Sequence, residues 1–97
     1  MKIKKYDVEG GGQMYLFYCP GCKEVHHYNV GREKRPVWTF NGDFDKPTFS
    51  PSLLYPTKTP RCHLFVTDGN IIYCSDCGHS LAGQTVPLTN IPEDMVW

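Results

Sequence analysis

The sequence predicts a mostly β protein, a small antiparallel domain spanning residues 1–97, and three observations carry that prediction. Eight prolines and nine glycines interrupt 97 residues, so few intervals could hold three helical turns. The runs that remain read as short strands separated by turn residues. Two Cys-x-x-Cys pairs, Cys19/Cys22 in CPGC and Cys74/Cys77 in CSDC, stand far apart with Cys62 between them. Paired knuckles of this kind, brought together by a small fold, form the tetrahedral thiolate cage that zinc prefers. The expected architecture is therefore zinc-ribbon-like, with knuckles around one structural Zn2+.

Each element follows from its residues. The run QMYLFY at 13–18 leads into the first knuckle, and EVHHYNV at 24–30 leads out of it. Residues 36–40, PVWTF, alternate and end at Asn41-Gly42, a turn signal. Residues 47–60 hold four prolines and read as a stiffened loop around a short apolar stretch, Leu53-Leu54-Tyr55. The clearest hairpin runs from Arg61 to Thr67, turns at Asp68-Gly69 and returns from Asn70 to Ser75. From Leu81 to Trp97 the chain reads as an irregular strand with Trp97 as anchor. Lys2, Lys4 and Lys5 read as a solvated terminus, and Trp38, Phe40, Phe44 and Phe49 as core.

Composition narrows the function. Hydrophobic residues at 40% and aromatics at 13% suit a globular chain with one modest core. Ten basic residues balance ten acidic ones, which leaves no electrostatic footprint for nucleic acid. No run approaches the ~18 apolar residues of a membrane span. The start, MKIKKYDVEGGG, has no apolar stretch after its lysines and is not a signal peptide. Five cysteines without such a signal point to thiolates in a reducing cytoplasm. In so small a domain, the ~10–16 kcal/mol of apparent zinc-binding energy couples directly to folding.

A type I′ turn at Asp68-Gly69 sets the hairpin register, placing Thr67 opposite Asn70, His63 opposite Cys74 and Cys62 opposite Ser75. Opposed residues share a face. One face then carries His63, Phe65, Ile72, Cys74 and, diagonally, Asp76; the other carries Cys62 and Cys77. The register thus favours Cys19, Cys22, Cys62 and Cys77 as metal ligands. Cys74 in place of Cys62, or His26 or His79 as fourth ligand, are the alternatives. A one-residue slip would exchange the faces. His26 and His27 otherwise flank the knuckle, and His79 is placed to hydrogen-bond the zinc sulfurs.

A closed site of four protein ligands leaves no open coordination position, so the metal is structural. Chemistry must come from elsewhere. The segment PTFSPS at 47–52 puts Ser50 and Ser52 between prolines, which restrict their own and the preceding backbone angles. A serine held in this way suits a nucleophile. His63 would be its base and Asp76 would hold the imidazole.

In their order, Tyr18-Cys-Pro-Gly-Cys22 with His26, Trp38-Thr-Phe-Asn-Gly42, PTFSPSL at 47–53, Arg61-Cys-His63 through Asp68-Gly69, and SDCGH at 75–79 through LAGQTV at 81–86 are similar to one family. The chain resembles small bacterial and phage proteins related to the BubE-type peptidases of bacterial ubiquitin-like conjugation operons. That resemblance implies a zinc-stabilised β domain with a serine-peptidase site acting on ubiquitin-like proteins or their conjugates. It places the nucleophile at Ser52 and the base at His63, and it favours Cys62 and Cys77 over Cys74. Asp76 rests on the hairpin register instead. The competing expectation is a non-catalytic zinc-ribbon-like module that engages a host protein.

Overall fold

A computed structural model describes residues 2–31 and 37–95. Two antiparallel sheets make the fold. The first has the order β1-β2-β3, from β1 (Ile3–Asp7), β2 (Gln13–Cys19) and β3 (Glu24–Val30). The second runs β4-β5-β6-β7-β8, from β4 (Thr39–Phe40), β5 (Phe49–Tyr55), β6 (Cys62–Thr67), β7 (Asn70–Tyr73) and β8 (Thr85–Pro87). A parallel bridge between Val30 and Trp38 leads from one sheet to the other. Among the described residues the only helical element is a 3-10 turn, Glu93–Met95, and no helix is long and apolar enough to cross a membrane.

The strands on either side of CPGC and the Asp68-Gly69 hairpin lie where the sequence places them. Asp68 and Gly69 take φ of 49° and 78°, the type I′ geometry, and Thr67 pairs with Asn70, Phe65 with Ile72 and Leu64 with Tyr73. Past Tyr73 the chain leaves the ladder, although Cys74 N still donates to His63 O at 2.9 Å.

Two segments depart from the sequence reading. Residues expected as a solvated terminus form β1, whose Ile3 lies opposite Phe17 and is buried while Lys5 faces solvent. Lysines on an outer strand are one way a sheet edge resists further pairing, which explains why this strand looks like a charged tail. The proline-rich stretch also holds a strand. Between Phe49 opposite Val66 and Leu53 opposite Leu64, β5 uses four residue steps to two on β6. Pro51 sits in that irregularity, where the ladder asks for no N–H.

The core joins the two sheets through aromatic rings. Tyr28 on β3 stacks on Phe49 of β5 at 4.3 Å with planes 4° apart, and Phe17 stacks on Tyr28 at 5.5 Å. Trp38 meets Tyr28 edge-on at 5.4 Å, and Phe40 stacks on Phe49 at 4.8 Å. Such pairs each add ~0.5–1.5 kcal/mol beyond area burial. Phe44 is the exception to the expected core: it is 49% exposed, on the loop after β4. The tail contributes β8 and the buried Leu88 and Ile91. The expected roles of Pro36 and Trp97 fall outside the described residues.

Candidate active site and metal centre

On the outer face of the five-stranded sheet, Ser52, His63 and Asp76 meet in a chain. His63 Nε2 lies 3.1 Å from Ser52 Oγ. His63 Nδ1 lies 3.1 and 3.3 Å from the two Asp76 oxygens. Leu54 pairs directly with His63, so Ser52, two residues earlier on β5, is its diagonal neighbour on the same face. Asp76 arrives from the turn after β7. With Nδ1 facing a carboxylate, that nitrogen carries the proton and Nε2 is left to accept from the serine hydroxyl. Ser50 takes no part in the chain; it is exposed and pairs with Thr39.

Two further residues brace this chain. Arg61 Nε and Nη2 donate to Asp76 Oδ2 at 3.2 and 2.9 Å. That guanidinium, with His63 adding to it, holds the Asp76 carboxyl below the usual carboxylate range. Trp38 Nε1 donates to Ser52 O at 3.1 Å and ties the serine backbone to the core. Sequence reasoning missed both roles. Arg61 stands two residues before His63, and that same-face spacing was the available signal. Trp38 gave none beyond its aromatic character.

The rim of the chain is apolar. Leu54, Phe65 and Ile72 are 40%, 40% and 38% exposed. The Phe65 ring lies 6.4 Å from the His63 ring, and Phe65 pairs with Ile72.

Behind the same sheet lies a second cluster. Cys19, Cys22, His26 and Cys62 each offer a ligand atom within 4.8 Å of all the others. Cys19, His26 and Cys62 are buried and Cys22 is half-buried. The Cys19 and Cys62 sulfurs are 3.9 Å apart, against the ~3.8 Å that two ~2.3 Å metal–sulfur bonds subtend in a tetrahedron. His26 Nε2 is buried without a hydrogen-bond partner among the described residues, which leaves it free for an ion. These donors fit a bound metal ion.

The surroundings prepare thiolates. Hydrogen bonding, first from Cys62 and then from Tyr73 and the Cys22 N–H, lowers the Cys19 thiol to about 3 against the pull of burial. The contacts are Tyr73 Oη at 3.1 Å from Cys19 Sγ and Cys22 N at 3.4 Å. Cys62 is correspondingly pushed up by its bond to the Cys19 thiolate. Burial, then the Cys19 charge, raises Cys22 to about 11. Without an ion the cluster can hold one thiolate at little cost; a cation would let the others ionise.

Cys77, expected as the fourth ligand, is placed differently. Its Sγ donates to His63 O at 3.0 Å and accepts from His63 N at 3.3 Å. It groups with Cys62 and His79, not with Cys19 and Cys22. The turn after β7 folds Cys77 back onto the β6 main chain, so one expected ligand sits beside the cluster and His26 takes the near position. His79 Nδ1 accepts from Leu81 N at 3.2 Å, and its Nε2 lies 3.7 Å from Cys62 Sγ. A Cβ at residue 21 would collide with the His79 ring, which explains the glycine of CPGC.

The family model described as "Bacterial ubiquitination-like system serine protease (BubE)" matches residues 2–74. That span includes Ser52, His63, Cys19, Cys22, His26 and Cys62, and stops short of Asp76 and Cys77. No curated protein and no solved structure matches the chain.

Proposed function

Because the chain belongs to the BubE family of serine proteases of bacterial ubiquitination-like systems, we propose that it is a serine peptidase in which Ser52 is the nucleophile, His63 the general acid–base and Asp76 the group that orients the imidazole. The observation that carries this reading is the unbroken Ser52–His63–Asp76 chain, with both contacts at 3.1 Å. Ser52 Oγ attacks a carbonyl carbon while His63 Nε2 takes its proton. The imidazolium so formed is stabilised by Asp76, itself held ionised by Arg61. His63 then gives the proton to the leaving amine or alkoxide, and an acyl group remains on Ser52. Water, deprotonated by the same nitrogen, releases it.

The substrate is the C-terminal tail of a ubiquitin-like protein, or an amide or ester conjugate made through it. An open site on a sheet face, rimmed by Leu54, Phe65 and Ile72, suits an extended polypeptide better than a small solute. Cys19, Cys22, His26 and Cys62 would hold a Zn2+ ion, which would supply a structural cross-link and no reaction chemistry, since four protein donors leave no position for substrate. A fluorophosphonate probe tests the reading: it labels Ser52, as located by mass spectrometry, and labels neither Ser52→Ala nor His63→Ala. Absence of labelling in folded, zinc-loaded protein would turn the same face into a binding surface and end the peptidase reading.

A further inference from the structure

Two of the five cysteines lie outside both sites, Cys77 on the His63 main chain and Cys74. Cys74 lies directly across from His63, with its N–H bonded to His63 O at 2.9 Å and its carbonyl accepting from Cys77 N and Gly83 N, each at 3.3 Å. Its backbone is therefore fixed, and its half-buried side chain lies within reach of the His63 ring. Cys74, His63 and Asp76 each offer a ligand atom within 4.8 Å of the other two. A thiol, an imidazole and a carboxylate converge there at the sheet surface.

We infer that His63, Cys74 and Asp76 form a second, inhibitory metal site that takes a divalent ion of the zinc class and switches off the proton-transfer chain built on His63. The mixed sulfur, nitrogen and oxygen donors select such an ion over magnesium or calcium, which take oxygen ligands. Three protein donors leave one position to water, the arrangement of an exchangeable site and not of a closed structural one. Coordination breaks no covalent bond between heavy atoms. The Cys74 thiol gives its proton to solvent, and a ring proton on the nitrogen that binds passes to the other ring nitrogen, so the imidazole stays neutral.

Inhibition follows whichever nitrogen that is. Nδ1 is the atom facing Asp76 and Nε2 the atom facing Ser52 Oγ, so the ion removes one of the two contacts in either case. The Arg61 guanidinium holds Asp76 Oδ2 and opposes a cation, while Oδ1 faces the His63 ring at 3.1 Å and not the guanidinium. The site is accordingly weaker than the buried four-donor cluster and fills after it. The inhibitory consequence rests on the peptidase reading; the binding does not.

The test uses protein loaded with its first equivalent of zinc. Titration with Co2+ should give a second equivalent with a thiolate-to-cobalt charge-transfer band, absent in Cys74→Ala and in His63→Ala. Zn2+ should suppress fluorophosphonate labelling of Ser52 in the natural protein, and the ratio of labelling with and without added zinc should recover at least tenfold in Cys74→Ala. A band that survives in Cys74→Ala, as it would if the ion went to Cys62, Cys77 and His79, overturns the site. Failure to take up a second equivalent does the same. If Co2+ binds as described but Ser52 never reacts in any protein, the site stands, and the peptidase reading and the inhibitory role fall together.

Discussion

Cys62 and His63 are consecutive on β6 and face opposite sides of the sheet. The sulfur of Cys62 is fully buried, 3.9 Å from Cys19 Sγ, while the His63 imidazole meets Ser52 on the outer face. Strand alternation makes β6 a shared wall, so the cluster that ties β2 and β3 to β6 also fixes where His63 stands. Tyr73, bonded to Cys19 Sγ from β7, extends the same link to the strand that leads to Asp76.

Metal removal should therefore abolish fold and reactivity together. A strong zinc chelator should produce cooperative loss of the β circular-dichroism signal and, in parallel, of Ser52 labelling, because the core of so short a chain is small and a structural zinc would contribute ~10–16 kcal/mol. A melting temperature unchanged by chelator would contradict this. His26→Ala should weaken zinc binding by more than the ~10–100-fold typical of an outer hydrogen-bond partner, and Cys77→Ala by no more than that range. Zinc affinity measured in both variants decides between the two residues as fourth donor.

Arg61 makes a separate prediction about pH. The Asp76 carboxyl is depressed first by Arg61 and then by His63, so its pairing stabilises the folded state above the unfolded carboxylate value of ~3.9 and is lost as pH falls through the lower folded value. In Arg61→Met the folded value rises toward ~3.9, and protonation of Asp76 sets in at higher pH. Carboxyl carbon NMR should show the midpoint below ~3.9 in the natural protein and higher in the variant. Equal midpoints would mean that the guanidinium does not hold the carboxylate.

The hairpin was legible because its information is local. Asp68-Gly69 fixes a turn type, the turn fixes a register, and strand alternation puts Cys62 and His63 on opposite sides of β6. β1 and β5 were not legible, because each exists through a partner distant in sequence: β1 needs Phe17 and its neighbours on β2, and β5 survives Pro51 only through an irregular register with β6. The sequence offers His26 only as one of several alternatives for the fourth ligand, because its approach to the three sulfurs is likewise set by strands distant in the chain. A turn after Tyr73 decides whether Cys77 reaches the cluster, and strand parity says nothing about a residue that has left the strand.

The apolar rim predicts a split between binding and chemistry. Phe65→Ser and Ile72→Ser, both at exposed positions, should leave fluorophosphonate labelling of Ser52 near its natural rate while raising KM for a protein substrate. Each removes an apolar contact worth ~1–3 kcal/mol, or ~5–150-fold in kcat/KM. The measurement is cleavage of a ubiquitin-like fusion compared with labelling by a small probe. Equal loss in both assays would show that the rim shapes the site and not the substrate contact.

Trp38 tests whether the core positions the nucleophile. Its indole N–H reaches Ser52 O from a buried ring packed against Tyr28, so Trp38→Phe keeps most of the apolar volume and deletes the donor. A lost hydrogen bond of this kind costs about 0.5–1.5 kcal/mol of stability. If that bond also holds the serine in register with His63, kcat should fall by ~10–100-fold with KM little changed, since small misplacements of reacting groups are costly in the chemical step. Denaturant unfolding and steady-state kinetics on the same protein separate the two effects. A stability loss with kcat intact would reduce Trp38 to a core residue, and the placement of Ser52 would then rest on the β5 irregularity alone.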